Sequence, residues 1–341
     1  MSTTIPYLVI FLDIFIGMLK SSFLLILNII FWLYCCSYEL PHPDSPILCR
    51  NNQHIMGQWI QANKTKKTYY VCSWDNHDYR YNTDLCGWNH REHERLWYGH
   101  VTWLLQAGGL AASCDARDNT RWKVTQRENY EWKPMLCDLI PWNATQFCDL
   151  LNNRIILLIG DSTISQTGAA LVSRLTYDIP NQKSCSNNIA ILRINEISND
   201  YNTIIKYIKE IQPDIIIFNT GAHFLFMKPF QEEISVYFTK LYNEIHEIST
   251  KQVQLLWKTM NPGHINCSTQ SNGELNTDWK YNSTNTEDKY HWNIFAQQDN
   301  FMKYYIPQHF NMKIIDMSPL YYRQDAHSDC LHYCLPGPVD V

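Results

Sequence analysis

The sequence predicts an α/β domain in which a parallel β-sheet carries helices on both faces, preceded by an irregular region rich in cysteine and tryptophan. Two observations support this fold class. Residues 154–316 alternate short, continuous apolar runs with longer helical stretches, which is typical of β-α-β units. The apolar runs show no polar alternation, as expected for parallel strands buried on both faces.

The strands and helices follow one another in order along the second half of the chain. One helix places Ile204, Ile205 and Ile208 on the same face. Pro213 ends that helix, and the next apolar run follows Asp214. The predicted strands are 154–160, 189–194, 214–219, 253–257 and 313–316. The predicted helices are 163–176, 201–211, 230–248 and 287–305.

Composition excludes several classes of protein. With 341 residues and 45% hydrophobic positions, the chain can bury a large core, which excludes a disordered or fibrous protein. The formal net charge of -5 and the lack of a run of Lys and Arg argue against a nucleic-acid partner. We also predict no cofactor and no metal, because no segment resembles a nucleotide pocket and the pair His90 and His93 lacks further ligands.

The N-terminal segment is predicted to be a targeting signal. Residues 5–36 are largely apolar, and the most apolar stretch, 23–34, follows Lys20. This length suffices for a membrane span, which needs about 20 residues. An uncleaved signal anchor is favoured, and a cleaved signal peptide is the open alternative. The predicted organisation is a signal segment at 1–36, a Cys/Trp-rich region at 37–150 and the α/β domain at 151–341.

Cysteine usage indicates an oxidising compartment. The chain has 12 cysteines, no CxxC pair occurs, and most of them are dispersed after the apolar leader. This pattern favours disulfides over a zinc ribbon or a thioredoxin motif. N-glycosylation sequons agree with a secretory route and begin at Asn63, Asn143, Asn266 and Asn282.

Polar residues follow two of the predicted strands. Gly160-Asp161-Ser162 comes directly after the first strand and opens a helix, and Asn219 and Gly221 end the third strand. Ligands bind at the carboxyl ends of strands in open parallel sheets. The backbone N–H of Ser162 and the carboxamide of Asn219 are therefore candidate donors to an oxyanion. His223, close to Gly221, is interpreted as structural or substrate-lining.

A third group of polar residues lies near the C-terminus. Asp329 and His332 are three residues apart, so one turn can hold both side chains on one side. Cys330 and Cys334 bracket His332 in the sequence. A nucleophilic serine needs a base and a carboxylate that orients the base, and His332 and Asp329 are candidates for these two roles. His327 with Asp325 is a competing pair.

Several segments resemble one known family in the same order. The segments Met56–Ile60 and Tyr130–Leu139, Asn219-Thr-Gly221, Trp257–His264 and the ending Arg323–Pro338 are similar to motifs of the trichome-birefringence-like O-acetyltransferases. These are PC-esterase proteins with an SGNH-like, flavodoxin-like sheet. The chain departs from the family pattern after Ser162, where Ser165-Gln166-Thr167 replace Arg-Asn-Gln, and at Lys258, where the family often has Arg. No glycine occurs between Gly168 and Gly221 to provide the usual donor of the second SGNH block.

The resemblance implies an activity and a set of roles. Ser162 would be the nucleophile, His332 the general base and acid, and Asp329 the carboxylate that orients His332. Gly160, Asp161, Asn219 and Gly221 would hold the oxyanion or the substrate. The reaction would transfer acetyl groups to hydroxyls of a polysaccharide or glycan, with the donor supplied by a membrane acetyl transporter.

Two alternatives remain open. A carbohydrate esterase would use the same residues with water as the acceptor, and an inactive glycan-binding protein would keep the fold. We expect an ER or Golgi membrane protein with a single span and a luminal C-terminal domain, or a secreted protein if the signal is cleaved.

Overall fold

The computed structural model describes residues 49, 56–61, 97–98, 130–179, 185–263, 290–323 and 331–333. All of them lie in the unit Leu48–Val341. The apolar leader, the pair His90 and His93, and the polar residues at 325–330 lie outside the described residues. The strands are β1 Gly57–Gln61, β2 Trp97–Tyr98, β3 Tyr130–Pro134, β4 Ile156–Gly160, β5 Ile189–Arg193, β6 Ile215–Asn219, β7 Gln254–Lys258 and β8 Lys313–Ile315. The helices are α1 Ala144–Leu151, α2 Ser162–Asp178, α3 Ile197–Ile211, α4 Met227–Glu232, α5 Thr239–Ile248 and α6 Phe295–His309.

The main sheet confirms the predicted fold class. Its strand order is β2-β5-β4-β6-β7-β8, and every neighbouring pair is parallel. Without the two-residue edge strand β2, chain order gives 2-1-3-4-5, which is the flavodoxin-like doubly wound order. The five predicted strands are therefore confirmed, with ends that differ by one or two residues.

Two apolar cores lie on opposite faces of the sheet. Alternate residues of β4 belong to different cores, because successive side chains of a strand point to opposite faces. Leu157 and Ile159 pack with apolar residues of α3, α4, α5 and α6. Ile156 and Leu158 pack with residues of α1 and α2. Since every β4 residue is buried, the strand reads as one continuous apolar run in the sequence.

Tertiary contacts set helix ends that the sequence pattern did not reveal. Helix α3 begins at Ile197 rather than 201, and its Ser198 N–H donates to the carboxylate of the buried Glu233 at 2.8 Å. The predicted helix 230–248 is divided into α4, a π-helical stretch Glu233–Phe238 that contains this carboxylate, and α5.

The last long helix also begins later than predicted. His291 has the left-handed φ of 54°, which a continuous α-helix does not accommodate, and a 3₁₀ turn Trp292–Ile294 leads into α6. Helix α6 therefore covers Phe295–His309, whereas the prediction was 287–305.

The cysteine- and tryptophan-rich region contributes a small second sheet. Strands β1 and β3 pair antiparallel with Trp59 opposite Trp132. The disulfide Cys49–Cys137 joins the segment before β1 to the segment after β3. The Trp59 indole N–H donates to the Pro319 carbonyl at 2.8 Å. This hydrogen bond connects the two-stranded sheet to the segment that follows β8.

A second disulfide, Cys148–Cys185, connects α1 to the 3₁₀ turn Cys185–Asn188 before β5. The two bridges confirm the prediction that the cysteines form disulfides, for the cysteines that the structure describes. Within the same part of the chain, no helix has the length and apolar character that a membrane span requires.

Candidate functional site

The candidate site lies where the strand order reverses. Strand β4 is flanked by β5 and β6, and its last residue, Gly160, is level with Arg193 on one side and Asn219 on the other. Such a reversal opens a crevice at the carboxyl edge of a doubly wound sheet. A Cβ at Gly160 would collide with the Asn219 backbone carbonyl, so the close approach of β4 and β6 requires glycine at this position.

Asp161 joins the ends of β4 and β6. Its carboxylate accepts from the Thr163 N–H at 2.9 Å and the Thr163 hydroxyl at 2.8 Å, which caps the start of α2. The other oxygen accepts from the Ala222 N–H at 3.3 Å. Because the residue is fully buried, this carboxylate braces the two strand ends from within the protein.

Ser162 is the first residue of α2 and is half-buried. The N–H groups in the first turn of a helix have no acceptor within the helix, and the helix dipole places partial positive charge there. The Thr163 N–H already binds the Asp161 carboxylate, so among the N–H groups at this helix end the one of Ser162 itself stays the predicted donor to an oxyanion.

The Asn219 carboxamide is held on both sides. Its oxygen lies 3.0 Å from the Thr163 hydroxyl, whose one proton is shared with the closer Asp161 carboxylate, and its nitrogen donates to the Lys258 carbonyl at 3.2 Å. Further acceptors near that nitrogen are the Thr259 carbonyl at 3.5 Å and the Met260 sulfur at 3.2 Å. The structure thus shows Asn219 as a link between α2 and the end of β7, and its role as an oxyanion donor stays a prediction.

Gly221 lies in a tightly packed loop after β6. A Cβ at this position would come within 2.6 Å of the Gln298 side-chain oxygen and 2.9 Å of the Met260 sulfur. The Gln298 side-chain nitrogen donates to the Gly221 carbonyl at 3.2 Å. The loop is therefore fixed by α6, and the neighbouring His223 is half-buried.

The segment Leu331–Tyr333 lies over the same edge of the sheet. Leu331 is fully buried in a cluster with Ala222 and Met260, which follow β6 and β7. The backbone of Tyr333 pairs with the side chain of Gln166 on α2. His332, between these anchors, is buried and packs edge-on against Tyr290 at a ring-centroid distance of 6.1 Å.

The structure therefore brings Ser162 and His332 to one edge of the sheet, together with Gly160, Asp161, Asn219 and Gly221. Asp329, the predicted orienting carboxylate, lies outside the described residues, as do the competing pair Asp325 and His327. The roles of these three residues stay predictions.

Charged residues that the sequence analysis did not place at the site surround it. Arg193 ends β5 beside Gly160, and burial lowers the pKa of its guanidinium, with the Asp161 carboxylate opposing the shift. Lys258 ends β7 and is buried, where it donates to the Asn261 side-chain oxygen at 2.8 Å. Burial lowers the pKa of Lys258 to about 8, against the attraction of Asp161 and Asp299.

Asp299 on α6 completes this buried set. Its carboxylate accepts from the Met260 N–H at 3.0 Å, and burial raises the pKa of Asp299 to about 7.

The sequence contained a signal for two of these three charged residues. Arg193 and Lys258 are each a single cation at the end of a short apolar strand. Asp299 gave no such signal, because it lies within a helix far along the chain.

No cluster of His, Cys, Asp and Glu suited to a metal occurs among the residues that the structure describes.

Comparison with known proteins shows a partial similarity to a curated relative. A stretch of 80 residues is 34% identical to the protein named trichome birefringence-like 31 from Arabidopsis thaliana. The stretch makes up 24% of this chain and 19% of that relative, so the chain matches well under two thirds of the relative's length. No protein-family model matches the chain. The similarity supports in part the resemblance that the sequence motifs indicate.

Proposed function

We propose that the protein is an O-acyltransferase that carries acetyl groups to hydroxyls of a glycan through an acetyl-Ser162 intermediate. One observation carries this proposal. Ser162 begins the helix after the central strand at the reversal of the sheet, and the segment that contains His332 is bonded to the same helix through Gln166. The partial similarity to a trichome birefringence-like protein supports the same class of activity.

The proposed reaction has two balanced steps. In the first, the Ser162 hydroxyl oxygen attacks the acetyl carbonyl of the donor while His332 accepts the hydroxyl proton. The bond to the donor's leaving group breaks, and that group departs with the proton from His332. In the second, His332 takes the proton of a sugar hydroxyl, whose oxygen attacks the acetyl carbon. Ser162 is then released and regains its proton from His332.

The described residues explain how the first step would be supported. We propose that the Ser162 N–H, at the start of α2, donates to the carbonyl oxygen as it becomes negative, since the Thr163 N–H already binds Asp161. The Asp161 carboxylate and the Asn219 carboxamide, both buried, fix the turn that carries Ser162 by binding Thr163. We propose that Asp329 orients His332.

The cellular setting is part of the proposal. Two disulfides in the described residues are of the kind that forms in oxidising compartments. We propose that residues 1–36 anchor the chain in the ER or Golgi membrane, with the catalytic domain in the lumen. A membrane protein that delivers acetyl groups would then supply the donor.

Intact-mass analysis of the full chain after brief exposure to 4-nitrophenyl acetate tests the proposal. Wild type is expected to gain one acetyl group on Ser162, and Ser162→Ala is expected to gain none. Ser165→Ala is the matched control, because it removes another serine hydroxyl from the same helix, and it should acylate like wild type.

A panel of neutral and acidic oligosaccharides identifies the acceptor. Transfer predicts that one class of oligosaccharide discharges the acetyl group faster than water and becomes acetylated itself. Discharge at the same rate with and without sugar indicates an esterase instead. A folded wild type with no adduct that depends on Ser162 contradicts the proposed chemistry and favours a glycan-binding protein.

A further inference from the structure

Gln166 makes a two-way pairing with the segment that carries His332. Its side-chain nitrogen donates to the Tyr333 carbonyl, and its side-chain oxygen accepts from the Tyr333 N–H at 3.1 Å. Gln166 is buried, and it lies four residues after Ser162, so the two side chains share one face of α2. One amide thus connects the helix of the nucleophile to the backbone beside the predicted base.

The other contacts of the segment Leu331–Tyr333 join it to residues that follow strands of the sheet rather than to α2. The Tyr333 hydroxyl lies 3.1 Å from the Pro262 carbonyl and 3.3 Å from the Leu320 carbonyl, which belong to the loops after β7 and β8. Leu331 packs in the cluster beside Ala222 and Met260. These contacts hold the segment over the sheet. The Gln166 pairing connects the segment to α2, the helix that begins at Ser162.

We propose that Gln166 is a positioning residue that sets the geometry between Ser162 and His332. The inference rests on the proposed function, in which these two residues exchange a proton. Displacement of a catalytic group by about 1 Å can lower a rate by about a hundredfold. Loss of the pairing is therefore expected to lower the acylation rate of Ser162 in a protein that still folds.

Glutamine suits this position because an amide presents one donor and one acceptor side by side. An ionised carboxylate can accept from the Tyr333 N–H but would oppose the Tyr333 carbonyl, since both are acceptors. A protonated carboxylic acid has one donor and one acceptor and reproduces the amide pattern. Burial raises the pKa of a carboxyl group, so Gln166→Glu is expected to recover the pairing in mild acid.

The test compares Gln166→Glu and Gln166→Met in the full chain. The measurement is the rate of acetyl-Ser162 formation from 4-nitrophenyl acetate, expressed relative to wild type at each pH between about 5 and about 8. The charged and titratable groups around the pairing are Asp161, Arg193 and Lys258 at this edge of the sheet, and His332 and Tyr333 on the facing segment; each variant and wild type share them and differ at position 166 alone. Tyr290, which packs against His332, is also common to both.

The expected result has a distinctive pH signature. Gln166→Met should be about tenfold to about a hundredfold slower than wild type at every pH, because it can form neither bond. Gln166→Glu should match Gln166→Met at the alkaline end and approach wild type at the acidic end. Thr167→Val, which removes a hydrogen bond to the Thr163 carbonyl within α2, should stay within about twofold of wild type.

The outcomes separate this inference from the proposed function. A ratio for Gln166→Glu that does not change with pH, or folded variants that acylate as fast as wild type, overturns the positioning role and leaves acyl transfer standing. A folded wild type that forms no acetyl-Ser162 overturns both. If Gln166→Met does not fold, the pH series of Gln166→Glu alone decides.

Hydrogen exchange gives a readout that does not depend on activity. The Tyr333 N–H should exchange faster in Gln166→Met than in wild type, because it loses its acceptor. Unchanged exchange at Tyr333 would contradict the pairing itself.

Discussion

Asp161→Asn tests how the carboxyl edge of the sheet is held together. The variant keeps the size of the side chain but replaces one acceptor oxygen with a donor group. In wild type, one carboxylate oxygen binds Thr163 and the other accepts from the Ala222 N–H. In the less costly orientation, the new amide nitrogen faces the Ala222 N–H, and this buried donor loses its acceptor.

The expected cost follows from that lost bond. A buried donor left without an acceptor costs about 1–3 kcal/mol, and hydrogen bonds to a charged acceptor lie at the upper end of the usual range. Because the Ala222 bond is long at 3.3 Å, we expect Asp161→Asn to lower the free energy of unfolding by about 1–3 kcal/mol. The exposed Asp149 on α1 provides the matched control, because Asp149→Asn should stay within about 0.5 kcal/mol of wild type.

Urea unfolding followed by tryptophan fluorescence measures this difference, provided that the slope with denaturant is the same in all three proteins. A free energy of unfolding for Asp161→Asn within about 0.5 kcal/mol of wild type would refute the bracing role. The acylation rate of Ser162 should fall in the same variant, since the turn that carries Ser162 loses its hydrogen bond to Ala222 in the loop after β6.

Two further predictions concern stability. Because burial raises the pKa of Asp299 to about 7, its stabilising contribution is complete below about pH 4 and is lost as the pH rises through about 7. The free energy of unfolding of wild type minus that of Asp299→Asn should therefore fall over this range in urea titrations, and a constant difference would contradict the assignment. Replacing Cys148 and Cys185 together by serine opens a loop with a sequence separation of 37 and should cost about 3–4 kcal/mol by the same method. A loss below about 1 kcal/mol would show that the bridge constrains the unfolded chain little.

The strands of the main sheet could be predicted closely because burial on both faces leaves a simple pattern. Strand β4 contains five buried residues in succession, and Pro213 and Asp214 mark the start of the run that becomes β6. Ser162 and Asn219 could be expected to meet because parallel strands share a carboxyl edge. This expectation needed no knowledge of side-chain contacts.

Features that depend on distant contacts could not be predicted. The early start of α3 depends on Glu233, which lies 35 residues away from Ser198. The pairing of Gln166 with Tyr333 joins residues 167 positions apart, and both partners look ordinary in their local sequence. A single chain offers no periodic or compositional signal for such a bond.

In the proposed reaction Ser162 and His332 act as one catalytic unit, and a comparison of single and double variants tests this. The measurement is turnover of 4-nitrophenyl acetate by wild type, Ser162→Ala, His332→Gln and the double variant, each checked for folding. Residues of one unit show strongly non-additive losses. We expect both single variants and the double variant to share one low residual rate. Losses that multiply in the double variant, or wild-type turnover in Ser162→Ala, would contradict it.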